Sequence, residues 1–302
     1  MWSASTRLQK EYGDFIKLRL LGKNIFICSN PEYLVTLLKL RDKCIPPQEI
    51  ASEGIFLADG EKWQFARNIL QHCFTDNSMR DFFTMFVRLS QEYCTQIEQF
   101  GTNPVKLIHY TETMMFKAIC DVGLGMRDSS DTNALREEFG RAFDYLLEEQ
   151  IKRQMRFAIF NSLPTSSNVK FNEEMEVLDN CLKKIIENPL TNSRTDLLAQ
   201  MIRAEDPVTK RKFSTTELQH QIITLLVAGH KTSSLLLSWS IFEISQNPVV
   251  EKELKKELKK ILKLDGTQKD PISPTFEQLK ELKYMDMLLK ETLRLHPRKL
   301  KI

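Results

Sequence analysis

The chain has 302 residues, with 43 lysines and arginines against 40 acidic residues, a net charge of +3. That excess is too small to mark nucleic acid as the partner, although a local basic face stays open. The length suits one large domain or two smaller ones, and six cysteines (Cys28, Cys44, Cys73, Cys94, Cys120, Cys181) without a C-x-x-C pair or a preceding secretory signal argue against a disulfide framework or a zinc site.

The opening MWSASTRLQKEYGDF is polar and charged, and reads as neither a signal peptide nor a membrane anchor. Residues 14–21 and 24–28 alternate and are rich in Ile, Leu and Phe, with Gly22-Lys23 between them, which predicts a β-hairpin. Asn30 as cap and Pro31 at the first position predict a short helix over 31–40. A loop with Pro46, Pro47 and Gly54 follows. From Asp59-Gly60 onward the apolar period is helical, over 61–73, 78–100, 107–123 and 132–160, with breaks at 101–104, 123–131 and 162–168. A helix over 172–187, a polar stretch over 188–196, a short helix over 197–204 and a loop over 205–212 come next.

The longest element spans 214–246. Ser214 and Glu217 form a capping box, Phe213 can staple onto Leu218, and Asn247-Pro248 ends the helix. Its core over 222–244 is apolar around most of its circumference, so it is expected to be enclosed on nearly every side. It is long enough to span a bilayer, but Lys231 would sit near mid-depth at a cost of about 2.5 to 3.5 kcal/mol, which points to burial in protein instead. Ala228-Gly229-His230-Lys231-Thr232-Ser233-Ser234 interrupts the apolar run. Glycine there costs roughly 1 kcal/mol against alanine, and the hydroxyls can bond back to carbonyls. Thr224, Ala228 and Thr232 fall four apart, so the stripe is either a place where a flat ligand approaches the backbone or a helix crossing.

Residues 248–262 read as a solvated surface helix, with Glu251 and Lys255 paired and Val250, Leu254, Leu258 and Ile261 inward. Short helical segments over 275–282 and 284–295 follow. On a helical wheel Glu291 falls among Tyr284, Leu288 and Leu295, with Arg294 in reach, so the wheel points to a buried ion pair; an exposed surface pair is the other reading.

Three of these stretches resemble the cytochrome P-450 family of haem-thiolate monooxygenases: Ala228-Gly229-His230-Lys231-Thr232-Ser233 its A-G-x-[DE]-T-[TS] motif, Glu291-Thr292-Leu293-Arg294 with Leu295-His296-Pro297 its E-x-x-R-L-x-P signature, and Trp63 with Arg67 its W-x-x-x-R helix. The resemblance runs from about Glu11 to Pro297. It implies a mainly α fold with a small β-sheet, the N-terminal and central part of the family fold, organised on the long central helix. One domain over 1–302 is expected, with a hairpin and loop-rich start over 1–58 and a helical part over 59–302.

The implied reaction inserts one oxygen atom from O2 into a small apolar substrate. Its cofactor is haem (iron protoporphyrin IX), and its electrons come from an NADPH-dependent reductase or a ferredoxin-type partner. Position by position, Trp63 and Arg67 would bind a haem propionate, and Ala228 and Gly229 would line the distal face of the haem. Thr232 would steer proton delivery, and Glu291 with Arg294 would lock the core. His230 would be packed rather than a ligand. Substrate choice in the family is set largely around 44–57 and 148–172; Phe56, Phe157, Phe160 and Phe171 suggest an apolar pocket, with ordinary core as the alternative.

The sequence departs from the family in three ways. Lys231 stands where the family carries Asp or Glu, which puts ordinary proton relay in question. No stretch matches the glycine-rich loop of the haem-ligating cysteine, so the metal-ligand position has no candidate and the chain is expected to be the front part of a longer protein, inactive by itself. No N-terminal apolar anchor is present, which leaves peripheral membrane contact open. A reducing location, the cytoplasm or the cytosolic face of the endoplasmic reticulum, is expected. The competing reading is a non-catalytic helical remnant that binds a partner or a membrane surface through apolar area; a third keeps haem on a changed ligand such as His230 or a displaced cysteine.

Overall fold

The computed structural model describes residues 2–20, 23–39, 53–127, 130–154, 156, 158–188, 194–264 and 272–297. A helix α1 (Trp2–Tyr12), which the sequence reading left as a polar start, leads into β1 (Phe15–Leu20) and β2 (Lys23–Cys28). The two strands pair antiparallel with Leu20 opposite Lys23, so Lys23 is a strand residue rather than part of the turn. Ile16 is buried, while Phe15 and Phe26 stack on the exposed face at 5.8 Å. Asn30 caps α2 (Pro31–Lys39), its Oδ1 accepting from Glu32 N at 2.8 Å. The Pro46-Pro47 loop and Cys44 lie outside the described residues.

The helical body comprises α3 (Gly60–Cys73), α4 (Asp76–Glu98), α5 (Leu107–Leu124) and α6 (Ser130–Gln154), then a 3-10 turn (Ala158–Asn161), α7 (Ser166–Ile186), α8 (Leu197–Arg203) and α9 (Thr215–Gln246). Three elements, α10 (Pro248–Leu262), α11 (Phe276–Glu281) and α12 (Lys283–Leu295), complete the described fold. The expected helix over 132–160 gives way after Gln154 to the 3-10 turn, and α7 begins six residues before the expected 172. Its start is set by Thr165, whose Oγ1 accepts from Asn168 N at 3.3 Å, an N-cap that apolar spacing does not reveal. Asn168 also donates from Nδ2 to Phe160 O (2.7 Å) and Leu163 O (2.6 Å), which ties the preceding loop to the helix.

The core is one continuous cluster in which Phe139, Phe143 and Leu146 of α6, Leu178 and Leu182 of α7 and Ile222, Ile223 and Leu226 of α9 are almost solvent-free. Such burial contributes roughly 1.5–3 kcal/mol per large apolar side chain. Phe116 of α5 stacks on Phe139 and Phe143 at 6.1 and 6.2 Å, and a Cβ at Gly140 would meet it at 2.9 Å, so glycine lets α6 settle onto that ring.

The capping box at Ser214 forms as expected, with Ser214 Oγ accepting from Glu217 N and Glu217 Oε2 accepting from Ser214 N at 2.8 Å. Full enclosure of α9 does not hold along its length. Burial is concentrated between Leu218 and Ser234, whereas Trp239, Ile241 and Phe242 are exposed among the described residues. Helix α5 runs along α9 as far as Ser238, whose Oγ lies 2.6 Å from Thr111 Oγ1, and α10 and α12 also pack against α9.

Candidate functional site

The centre of α9 presents different faces to different surroundings, because consecutive residues are turned by 100°. Gly229 is held at the crossing with α5: a Cβ there would meet Ile119 Cδ1 at 2.9 Å. The lack of a side chain at Gly229 lets the Ile119 side chain of α5 pack against the backbone of α9. His230 is also turned to α5. Its Nε2 lies 3.1 Å from Glu112 O, its ring sits 5.4 Å from that of Phe116, and it is 2% exposed. Burial, with the Lys231 charge beside it, holds its pKa below the usual imidazole range, so the ring is neutral and donates to the carbonyl. Its Nε2 is thereby committed to α5.

Lys231 reaches the same residue of α5. Its ammonium is 3.2 Å from Glu112 Oε1 and 3.9 Å from Asp144 Oδ1 of α6. A cation at this position therefore ties three helices together. Glu112 and Asp144 carried no signal of their own in the sequence, since acids on helices are usually solvated.

Ala228 and Thr232 form the remaining side. Ala228 is exposed on a stretch otherwise packed among helices, and Thr232 is half-buried one turn on. Thr232 Oγ1 donates to Ala228 O, which leaves the oxygen lone pairs for a further donor. One turn earlier, Thr224 is buried and donates to His220 O at 2.8 Å. It is covered by residues 53–57, where Gly54 packs so closely that a Cβ would fall 1.8 Å from Thr224 Oγ1. Gln221, 1% exposed, accepts from Ile55 N at 2.8 Å and donates from Nε2 to Glu53 O at 3.2 Å. Sequence reasoning missed Gln221, although an amide inside an apolar run is itself a sign of a specific partner.

On α3, Trp63 and Arg67 stand four apart at the edge of the buried arc made by Ala66, Ile69, Leu70 and Cys73. Both are exposed, and neither side chain has a hydrogen-bond or ion-pair partner among the described residues. Phe65 between them meets Phe213 edge-on at 5.3 Å, docking α3 beside the start of α9.

The Glu291–Arg294 pair forms, with bonds of 2.6 and 2.7 Å, but it is exposed rather than buried; the two side chains are 53% and 68% accessible. The buried side of α12 is defined by Leu288 and Thr292, which places Glu291 outside it and leaves Leu295 exposed. The guanidinium holds the Glu291 carboxyl below the usual carboxylate range. At the end of α12, His296 stacks on Trp239 at 3.9 Å and 7°, with its Nε2 2.6 Å from Glu243 Oε1.

Of the aromatic residues suggested for a pocket, Phe171 is core, Phe56 and Phe160 are exposed, and Phe157 lies outside the described residues. The thiols of Cys73, Cys120 and Cys181 are buried in the helical core, and burial pushes all three upward, Cys73 and Cys181 to about 11. None is poised as a thiolate.

The described residues offer an exposed small-residue position at Ala228 on α9 and, on α3, two exposed donors, Trp63 and Arg67. The family model for cytochrome P-450 matches residues 1–299. A bifunctional cytochrome P-450/NADPH–P-450 reductase of Bacillus cereus is 27% identical over 306 residues. A self-sufficient cytochrome P-450 monooxygenase of Phanerodontia chrysosporium is 25% identical over 311, and a bifunctional protein of Fusarium oxysporum is 28% identical over 309. Each alignment covers 96% of this chain and 28% of the relative, so the chain spans little more than a quarter of these proteins.

Proposed function

Since the chain belongs to the cytochrome P-450 family, we propose that it builds the distal wall of a haem pocket in a monooxygenase that inserts one oxygen atom from O2 into an apolar substrate. When bound, haem supplies the iron at which O2 is activated, a step favoured by a thiolate ligand. The chain's own residues bind, orient and handle a proton. Arg67 offers a charge-assisted donor to a haem carboxylate, and the Trp63 indole N–H offers a second. Ala228 keeps the helix surface low where a flat ring needs room. Thr232 Oγ1 exchanges its helix carbonyl for the active-site side and presents a proton there. Lys231, committed to Glu112 and Asp144, acts as a helix clamp and not as the proton donor.

The observation that carries this reading is the exposure of Ala228 beside the Thr232 hydroxyl, while Gly229, His230 and Lys231 are all engaged with α5. The reductase named in the relatives supports an NADPH-dependent reductase as electron donor, and the unpaired state of the five described cysteines supports a reducing compartment, the cytoplasm or the cytosolic face of the endoplasmic reticulum.

The test is a haem titration of the full chain, read by Soret absorbance and tryptophan quenching, with Arg67→Leu beside it. Saturable binding weakened about tenfold by the substitution, the equivalent of about 1.4 kcal/mol, supports the reading. No saturable binding, or an Arg67→Leu chain that binds equally well, overturns it. In the reduced CO difference spectrum the thiolate signature is expected to be absent, because none of the six cysteines has the sequence surroundings of the family's ligand loop; its appearance would refute that assignment.

A second reading, association through an apolar surface, is favoured by the exposed Trp239, Ile241 and Phe242 on α9. Haem-free self-association that Trp239→Ser abolishes, measured by sedimentation, would support it.

A further inference from the structure

A single buried amide joins the turn at residues 53–57 to the central helix. Gln221 lies on α9 one position short of a full turn before Thr224 and has almost no solvent exposure. Both ends of its amide are used on the turn's backbone: Oε1 takes the Ile55 N–H at 2.8 Å and Nε2 gives to Glu53 O at 3.2 Å. The turn is further closed on itself by Leu57 N and Ala58 N, both donating to Gly54 O at 2.9 Å. Gly54 then rests on α9 without space for a side chain, since a Cβ would lie 1.8 Å from Thr224 Oγ1 and 2.9 Å from His220 O.

The cover stops there. Ala228 follows Thr224 on the same stripe, about 6 Å further along the axis at 1.5 Å per residue, and it is exposed. The boundary between covered and open helix surface thus falls between Thr224 and Ala228, at the rim of the turn that Gln221 holds. We infer that Gln221 is a positioning residue which fixes the Glu53–Leu57 turn on α9 and so sets where the ligand space beside Ala228 ends. The inference rests on the reading that Ala228 faces the pocket. Residues 55–57 then form the wall nearest an apolar substrate, and the amide decides how far that wall stands from the helix without touching the ligand itself.

The test uses the full chain carrying Ala228→Cys as a reporter, with Ser245→Cys, at the exposed far end of α9, as a control. Two readouts are taken in the parent and in Gln221→Leu: amide hydrogen exchange at Ile55, and the rate of iodoacetamide alkylation at each reporter, assigned by peptide mass. Loss of the amide is expected to speed Ile55 exchange and alkylation at position 228 by about tenfold each, with position 245 unchanged. Unchanged Ile55 exchange overturns the inference, as does faster exchange without faster alkylation at 228. A rise of equal size at both reporters also overturns it, since that is general loosening of the helix. Gly54→Ala provides an independent variant that keeps Gln221 and lifts the turn by sterics; it is expected to raise alkylation at 228 as well, and failure to do so counts against the wall. Neither readout involves haem, so a chain that did not bind haem would refute the proposed function while leaving this result to be judged separately.

Discussion

Lys231 Nζ lies 3.2 Å from Glu112 Oε1, so the position where the family carries an acid holds instead a cation clamped to α5. Both side chains are part-exposed, which limits the pair to about 0–1 kcal/mol. Lys231→Glu sets three carboxylates together and is expected to destabilise by about 1 kcal/mol, measured as a lowered urea midpoint. Combining it with Glu112→Lys should recover most of that loss; a double variant no better than the single one would show that the pair is not coupled.

Asp121 is fully buried and sits between two guanidinium groups, 2.9 Å from Arg88 Nη2 and 2.7 Å from Arg136 Nη2. Arg136 also donates to Met126 O, so one acid joins α4, α5 and α6 near the end of α5. Replacing Asp121 by Leu removes the fully buried acid that both guanidinium groups share and is expected to cost about 3–5 kcal/mol, a large fraction of a domain's stability. Thermal unfolding followed by circular dichroism checks it.

Gly125 ends α5 at φ 63°, and a Cβ there would lie 2.5 Å from Asp196 Oδ2 and 2.6 Å from Arg194 Nε. Gly125→Ala combines backbone strain with displacement of the Arg194–Asp196 pair, which also caps α8 through Ala199 N. Destabilisation of about 2 kcal/mol is expected from the strain and the disturbed cap, read from the denaturant midpoint. Arg194→Ala in the same background should relieve part of it.

Acid should weaken the fold through two groups of opposite charge type but the same sign of effect. Asp206 Oδ1 accepts from Val208 N and Thr209 N and its Oδ2 from Asn68 Nδ2, and the backbone bond from Thr209 leads in holding its carboxyl down at about 2. Its folded pKa is below its unfolded value, so its contribution is present above about pH 4 and is lost as pH falls towards 2. His230, kept neutral by burial, also has a folded pKa below the unfolded one. The unfolded chain then takes up the proton first, and stability falls as pH drops below about 6.5. Urea midpoints measured from pH 8 to pH 3 should lose their upper step in His230→Phe and their lower step in Asp206→Asn; a profile unaltered by either would refute these assignments.

The elements that local chemistry specifies were legible before any coordinates. The capping box at Ser214, the Asn30 cap and the proline start of α10 depend on neighbours within four residues, and each forms where the sequence places it. The start of α7 escaped because Thr165 is a cap without an apolar period, and the wheel misplaced Glu291 because Leu288 and Thr292, not Leu295, face the fold. Which side of a helix is buried is settled by the neighbours it meets, and a wheel contains none of them.

The sequence by itself determined the order of the helices from residue 31 onward and the presence of an interrupted patch on the longest one, because these follow from residue type and spacing, and its three motifs carried the family resemblance. Only the tertiary structure decided what each patch residue does. Gly229 yields to Ile119, His230 to a carbonyl and Lys231 to two acids, and Ala228 is left open beyond a turn fastened by Gln221. Those partners come from α5, α6 and a turn more than 160 residues away along the chain, and packing, not periodicity, brings them to one helix.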